Sequence, residues 1–182
     1  MKSRYLMLAV LFVCSFGVAA NGYVGFSVGS TSVKADLTSL GGGVLDESTG
    51  LTKIYGGYSF NKYVSLEGAY FGLAQVSVGQ VGTGVNAVSG SVDMKALGIY
   101  GVAFVPLGKR AEVLVKAGGA NWDADLTRDR TTASADGVDA LYGLGIAYAF
   151  TRRLKATADW EIIDSPNPEF STLSLGFKWE FK

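Results

Sequence analysis

Residues 171–181 alternate between polar and apolar side chains almost without interruption. Successive side chains of a β-strand point to opposite faces, so this segment predicts a strand that lies between an apolar and a polar medium. The apolar face becomes more aromatic towards the end of the chain, where Phe177, Trp179 and Phe181 follow one another on it. If other segments repeat this pattern, the chain must fold into a sheet with one apolar and one polar face.

Seven further segments have the same period of two. The predicted strands are residues 22–34, 51–60, 63–73, 92–105, 111–122, 138–150, 154–163 and 170–181. Strands of this length suit a tilted crossing of a hydrocarbon layer about 25–30 Å thick. Only helices and closed barrels satisfy every backbone group in lipid. The sequence therefore predicts an all-β fold, an eight-stranded antiparallel up-and-down transmembrane β-barrel.

The N-terminus has the organisation of a secretory signal peptide. Lys2 and Arg4 precede an apolar run over residues 6–18, and the small residues that a signal peptidase needs end at Ala20. We therefore predict a signal peptide over residues 1–20 and a barrel domain over residues 21–182. Cys14, the one cysteine of the chain, lies in the predicted leader, so no disulfide is expected in the mature protein.

The predicted connections alternate between short and long, as in barrels whose short turns face the periplasm. The short turns carry only basic charges, on Lys62, Lys109, Arg110, Arg152 and Arg153. The long loops, at residues 35–50, 74–91, 123–137 and 164–169, carry nine acidic residues and two arginines. This predicts an acidic outer rim, although solvated loops are often polar without binding anything.

Four segments resemble the OmpA-type transmembrane barrel and its short relatives, the OmpX-like and opacity-type surface proteins. They are residues 55–70, residues 105–122 with Val105-Pro-Leu-Gly and Val113-Leu-Val-Lys-Ala-Gly-Gly, residues 143–150 and residues 173–181. The resemblance covers the mature chain in the right order. It implies a small outer-membrane protein of a Gram-negative bacterium, without the peptidoglycan-binding domain that follows the barrel in OmpA.

The resemblance also bears on particular residues. A glutamate matching Glu67 belongs in OmpA to a charged gate, but the other gate positions correspond to Val102, Ala147 and Thr157, so the gate is not expected here. Trp179 and Phe181 match the terminal aromatic signal that the barrel-assembly machinery reads, although Lys182 follows them.

The strand period also predicts which charges point into the barrel. A barrel of eight strands is only wide enough for side chains to fill it, so inward charges must pair with one another. We predict Glu67 with Lys116 as one pair, and Asp159 with Lys155 or Lys178 as another. The inward charges include Lys53, Glu67, Lys116, Asp139, Lys155, Asp159 and Lys178, with Glu112 and Glu180 towards the periplasmic rim. Aromatic girdles are predicted from Phe150, Trp160, Phe170 and Trp179.

Catalytic chemistry has few candidate residues. The chain contains no histidine, which removes serine–histidine catalysis and histidine-ligated zinc. Asp159 and Glu161 form the one candidate carboxylate pair, and salt-bridge partners are the simpler interpretation. Asp123, Asp125 and Asp129 could supply oxygens to Ca²⁺ but lack the spacing of an EF-hand. We predict no enzyme activity, no cofactor and no metal site.

The sequence thus predicts a plugged barrel with a structural or surface-exposed role, such as adhesion through its extracellular loops. The alternatives are a narrow porin of low conductance and, less favoured, a lipid-modifying enzyme. Expected partners are outer-membrane lipid and lipopolysaccharide, with periplasmic chaperones and the assembly machinery during biogenesis. A host or phage ligand at the loops is a further candidate, nucleic acid is not, and a monomer is expected.

Overall fold

A computed structural model of the protein describes residues 21–36, 44–73, 76–81, 88–128, 131–165 and 169–181. Among these residues no helix is long and apolar enough to cross a membrane. The predicted signal peptide lies outside the described residues. The strands are β1 (Gly22–Asp36), β2 (Val44–Ser59), β3 (Val64–Leu73), β4 (Val76–Val81), β5 (Val88–Leu107), β6 (Ala111–Arg128), β7 (Thr131–Ala149), β8 (Leu154–Asp164) and β9 (Glu169–Glu180).

The strands form one closed antiparallel barrel in which neighbours in sequence are neighbours in space. β1 pairs with β9, from Tyr23 opposite Glu180 to Lys34 opposite Glu169, and this pairing closes the sheet. β3 and β4 both pair with β5, one after the other along its length. They therefore occupy a single position in the wall, and the prediction of an eight-stranded up-and-down barrel is confirmed.

Local hydrogen bonds explain the short turns at one end of the barrel. The Asn61 side-chain oxygen accepts hydrogen bonds from the backbone N–H groups of Tyr63 and Val64, at 2.7 and 3.0 Å. Thr151 Oγ1 accepts equivalent bonds from the backbone N–H groups two and three residues later, at 3.2 and 2.9 Å. Gly108 has a φ of 84°, a conformation that favours glycine. The three predicted short turns are confirmed at residues 60–63, 108–110 and 150–153.

The two faces of the wall differ as the alternation predicts. Exposed large apolar side chains on the outer face include Phe26, Val28, Leu66, Ile99, Tyr142, Leu144, Ile146, Leu173, Leu175 and Phe177. Phe150 and Trp179 are also exposed, near strand ends as predicted, whereas the exposed Trp160 lies in the middle part of β8. Phe170 is a correction: it is buried and packs inside the barrel against Trp122, with ring centroids 5.8 Å apart.

Much of what the sequence predicts as extracellular loop is strand. β6 and β7 remain paired as far as Arg128 opposite Thr131, so most of the predicted loop at residues 123–137 is a hairpin. β1 and β2 likewise pair as far as Asp36 opposite Val44, inside the predicted loop at residues 35–50. The glycine, serine and aspartate of these segments indicated loops, but cross-strand pairing overrides such weak local preferences. The wall therefore extends beyond its apolar zone.

We expect Leu175→Arg to destabilise the barrel, because Leu175 lies midway along β9 and is 62% exposed on the apolar face. An arginine facing lipid near the bilayer midplane costs about 2–4 kcal/mol. Reversible denaturant unfolding in lipid vesicles would measure the loss in free energy of unfolding. Ser48→Arg, at an exposed position of β2 beyond the apolar zone, is the matched control and should change it little. Equal losses in the two variants would contradict the assignment of the outer face to lipid.

Candidate functional site: the charged interior

Two lysines and two carboxylates meet in the centre of the barrel. Lys53 Nζ on β2 lies 2.6 Å from Glu161 Oε2 and 3.5 Å from Asp159 Oδ2, both on β8. Lys116 Nζ on β6 lies 3.0 Å from Asp159 Oδ1 and 3.1 Å from Glu161 Oε1. All four side chains are almost completely buried. Each lysine thus bridges both carboxylates, and the four form one ion-pair cluster.

Glu67 joins this cluster from β3. Lys116 Nζ lies 3.6 Å from Glu67 Oε1, so these two predicted partners do lie together. Tyr23 and Tyr100 donate hydrogen bonds to the Glu67 carboxylate, at 2.8 and 2.5 Å. Tyr23 also contacts the hydroxyl of Ser65 at 2.8 Å. Glu67 is therefore held by an ammonium and two phenols, an arrangement that satisfies a buried carboxylate.

A second ion-pair cluster lies nearer the short turns. Lys155 Nζ is 2.9 Å from Glu112 Oε1 and 2.8 Å from Glu180 Oε1. Lys178 Nζ is 3.4 Å from Glu112 Oε1 and 3.8 Å from Glu180 Oε1. The predicted pairing of Asp159 with Lys155 or Lys178 is therefore wrong. Asp159 instead lies 3.5 Å from Lys53 Nζ on β2 and 3.0 Å from Lys116 Nζ on β6, strands that are three and two positions away from β8 in the wall.

Below the second cluster the barrel opens into a vestibule on the short-turn side. This cavity measures about 450 Å³, and its lining includes Tyr23, Phe104, Glu112, Lys155 and Glu180. The Lys178 ammonium lies 4.9 Å from the ring centre of Tyr23 and 4.6 Å from that of Phe104. Lys178 and these two rings therefore close the vestibule towards the central cluster.

An apolar layer covers the central cluster on the opposite side. Trp122 is part of it, and its indole N–H donates a 2.6 Å hydrogen bond to Asp139. A small cavity of about 20 Å³ on this side, away from the short turns, is lined in part by Thr31, Thr172 and Trp122. The buried members of the layer are Leu51, Phe71, Ala96, Trp122, Leu141 and Phe170.

The positions that correspond to the family gate are uncharged and buried. Val102, Ala147 and Thr157 are at most 5% exposed, and of these Thr157 has a polar contact, 3.4 Å from the Tyr55 hydroxyl. Sequence reasoning gave Lys53 an inward position without a partner and gave Glu161 only a place on the same strand face as Asp159. The structure brings both residues into the central cluster. The two-residue period of a β-strand identifies which side chains point inward. The partner that each one meets inside the lumen depends on strand tilt and stagger.

The residues considered as catalytic or metal-binding candidates can now be placed in the structure. Asp159 and Glu161 are shared between the two buried lysines, away from the vestibule and the outer surface. Asp123 is exposed on the outer face of β6, whereas the Asp125 side chain and Asp129 lie outside the described residues. Within the described part of the chain, no group of three metal-ligating side chains comes together.

A family model described as the outer membrane protein beta-barrel domain matches residues 6–181. The chain belongs to this family. Its relatives are proteins of the bacterial outer membrane, so this barrel is an outer-membrane protein. No curated protein matches the sequence significantly.

Solved structures share the fold at low sequence identity. Neisserial surface protein A has a TM-score of 0.67 and 12% identity, over 88% of this chain and 97% of its own. The N-terminal barrel of Pseudomonas aeruginosa OprF has a TM-score of 0.60 and 15% identity, over 87% and 98%. The attachment invasion locus protein Ail of Yersinia pestis, in complex with the heparin analogue sucrose octasulfate, has a TM-score of 0.61 and 15% identity, over 88% and 99%. At these identities the likeness concerns the fold alone.

We expect Lys53→Met to destabilise the barrel by about 3–5 kcal/mol, because removing one partner of a buried ion pair leaves uncompensated charge. The double variant Lys53→Met/Glu161→Gln should recover part of this loss, since it removes a carboxylate together with its lysine. Denaturant unfolding in vesicles would measure both. Lys95→Met, at an exposed position of β5, is the control. A loss no larger than that of Lys95→Met would contradict a stabilising role for the cluster.

Proposed function

We propose that this barrel acts at the cell surface, in a structural or adhesive role carried by the strands that rise above its membrane zone. The observation that supports this most is the height of the β5–β6–β7 sheet. β8 pairs with β7 only as far as Ala140 opposite Asp164, whereas β6 continues along β7 to Thr131. Residues 131–139 therefore extend the sheet by about 30 Å of strand beyond the neighbouring wall. Such a sheet displays side chains and backbone well beyond the lipid.

The charge of this raised sheet favours a particular kind of partner. Asp123 and Asp136 lie directly opposite each other on β6 and β7, and both are exposed. Asp164 is exposed at the end of β8, and Lys95, opposite Asp123 on β5, is the nearby base. Like charges in directly opposite positions are unfavourable within a sheet. A cationic partner would relieve this repulsion, so we infer that the binding partner of this surface carries basic groups.

The comparison with Ail sharpens this inference. Ail was solved with sucrose octasulfate, a polyanion. The described acidic residues of the present rim would repel such a ligand, because fixed surface charge attracts or excludes charged partners at long range. The shared barrel therefore supports a surface role here but not the same ligand chemistry.

We expect the purified protein to be retained on an immobilised lysine-rich peptide and not on heparin. Asp123→Asn/Asp136→Asn should weaken retention on the peptide several-fold, as should raising the salt from about 20 to 200 mM, because exposed charges are screened. Biolayer interferometry in lipid nanodiscs would measure both effects. Lys62→Gln/Lys109→Gln alters two charges at the opposite end of the barrel and should have little effect. Retention on heparin that survives the aspartate substitutions would contradict a cationic partner.

A narrow porin is the second candidate. The vestibule favours it, because this cavity is lined by the charged side chains of Glu112, Lys155 and Glu180. Ions would have to pass Lys178, the central cluster and the apolar layer. Ionic conductance in planar bilayers separates this candidate from the surface role, because a steady conductance would favour the porin.

We also propose that Trp179 and Phe181 form the assembly signal at the end of β9. Trp179 is exposed on the outer face, and the backbone N–H of Phe181 donates a 2.8 Å hydrogen bond to Gly22. Phe181→Ala should lower the folded fraction in outer membranes, measured as heat-modifiable migration on gels. Phe177→Ala removes another exposed aromatic of the same strand and should have a smaller effect. Equal effects would indicate a loss of lipid contact rather than of a signal.

A further inference from the structure

The inner wall of the barrel is divided into two unlike sectors. Between the vestibule and the apolar layer, the inward positions of β8, β9 and β1 carry hydroxyls, carboxylates, lysine, tyrosine and glycine but no aliphatic side chain. These positions are Lys155, Thr157, Asp159 and Glu161 on β8, Thr172, Ser174, Gly176 and Lys178 on β9, and Tyr23, Gly25, Ser27, Gly29 and Thr31 on β1. The other strands contribute most of the bulky apolar groups, among them Phe71, Tyr100, Phe104, Leu114 and Leu141, together with the charged Lys53, Glu67 and Lys116.

Polar oxygens without a hydrogen-bond partner among the described residues are found in this sector. They include Ser27 Oγ on β1 and Ser174 Oγ on β9, two adjacent strands. Both residues are at most 1% exposed. A buried polar atom without a protein partner is costly, and in proteins such atoms usually bind an internal water molecule.

The sector reaches both openings of the barrel. At the short-turn end, Tyr23 and Lys155 line the vestibule. At the other end, the hydroxyls of Thr31 and Thr172 contact each other at 2.9 Å and line the small cavity on that side. That cavity, at about 20 Å³, is large enough for about one water molecule. Polar groups therefore follow one another along this wall from one opening to the other.

We propose that this sector holds a single file of water molecules and makes the barrel permeable to water but not to ions. The two unpartnered hydroxyls, of Ser27 and Ser174, bind the waters in the middle of the file. Thr31 and Thr172 form its extracellular end. This activity is separate from the surface role and does not depend on it.

The fixed charges beside the file account for the exclusion of ions. A cation moving along it passes the ammonium groups of Lys53 and Lys178, and an anion passes the carboxylates of Asp159 and Glu161. These side chains are held in ion pairs within a narrow lumen, so neither sign of ion finds a wide path of opposite charge. Water is neutral and can exchange hydrogen bonds with the hydroxyls along the wall.

The test is osmotic water permeability of proteoliposomes containing the protein, measured by stopped-flow light scattering, with ionic conductance measured in planar bilayers. We expect permeability several-fold above that of protein-free liposomes, without a steady ionic conductance. Thr31→Val/Thr172→Val replaces two hydroxyls by methyl groups of similar size and should remove more than half of the increment. Val102→Thr introduces a hydroxyl of similar size in the other sector and should leave permeability unchanged.

A second variant distinguishes the loss of the water path from a folding defect. Ser27→Ala/Ser174→Ala removes two of the unpartnered hydroxyls without adding volume, and it should lower permeability while heat-modifiable migration stays normal. Water-to-amide magnetisation transfer by NMR in nanodiscs should reach Ser27 and Ser174 in the unaltered protein. Permeability equal to that of protein-free liposomes would overturn the proposal. So would a steady ionic conductance, or an equal loss of permeability in Val102→Thr.

Discussion

The structure depends on neutralising buried charge inside a barrel that is only wide enough for side chains. Lys53 on β2 and Lys116 on β6 reach Asp159 and Glu161 from strands that do not pair with β8, so these ion pairs form only when the curved wall brings the inward side chains together. A strand that slipped by one residue would turn its charged group out into lipid and leave its partners uncompensated. The cluster thus ties the register of β8 to that of β2 and β6.

The sequence predicts the faces of the wall well because the period of a strand is local. Lys53, Glu67, Lys116 and Asp159 all lie inside, as the alternation indicates. The partner of Asp159 could not be predicted in this way, since reasoning from neighbours led to Lys155 and Lys178. The stagger between strands and the number of strands decide which side chains meet inside the lumen, and neither can be inferred from the sequence of a single strand.

Two other errors have local causes that the sequence did contain. Phe170 shares the parity of Thr172 and Ser174, which point inward, and its place at a strand end suggested a girdle residue instead. The segments predicted as loops contain turn-forming residues, yet they keep the pairing of the strands below them. Above the membrane both faces of a strand are wet, so hydropathy stops marking the strand although the backbone pairing continues.

Volume is the second constraint on the interior, and it explains the tyrosine–glycine pattern of the first hairpin. Tyr23 lies opposite Gly57 and Gly25 lies opposite Tyr55 across β1 and β2. A methyl group at either glycine would overlap the ring of the tyrosine opposite it. Glycine here lets each ring lie flat over the neighbouring backbone, and the two hydroxyls then reach Glu67 and Thr157. In a lumen this narrow, a large side chain on one strand requires a small one beside it. The same rule makes room for the hydroxyl-lined wall opposite the aromatic one, so packing and polarity divide the interior along the same line.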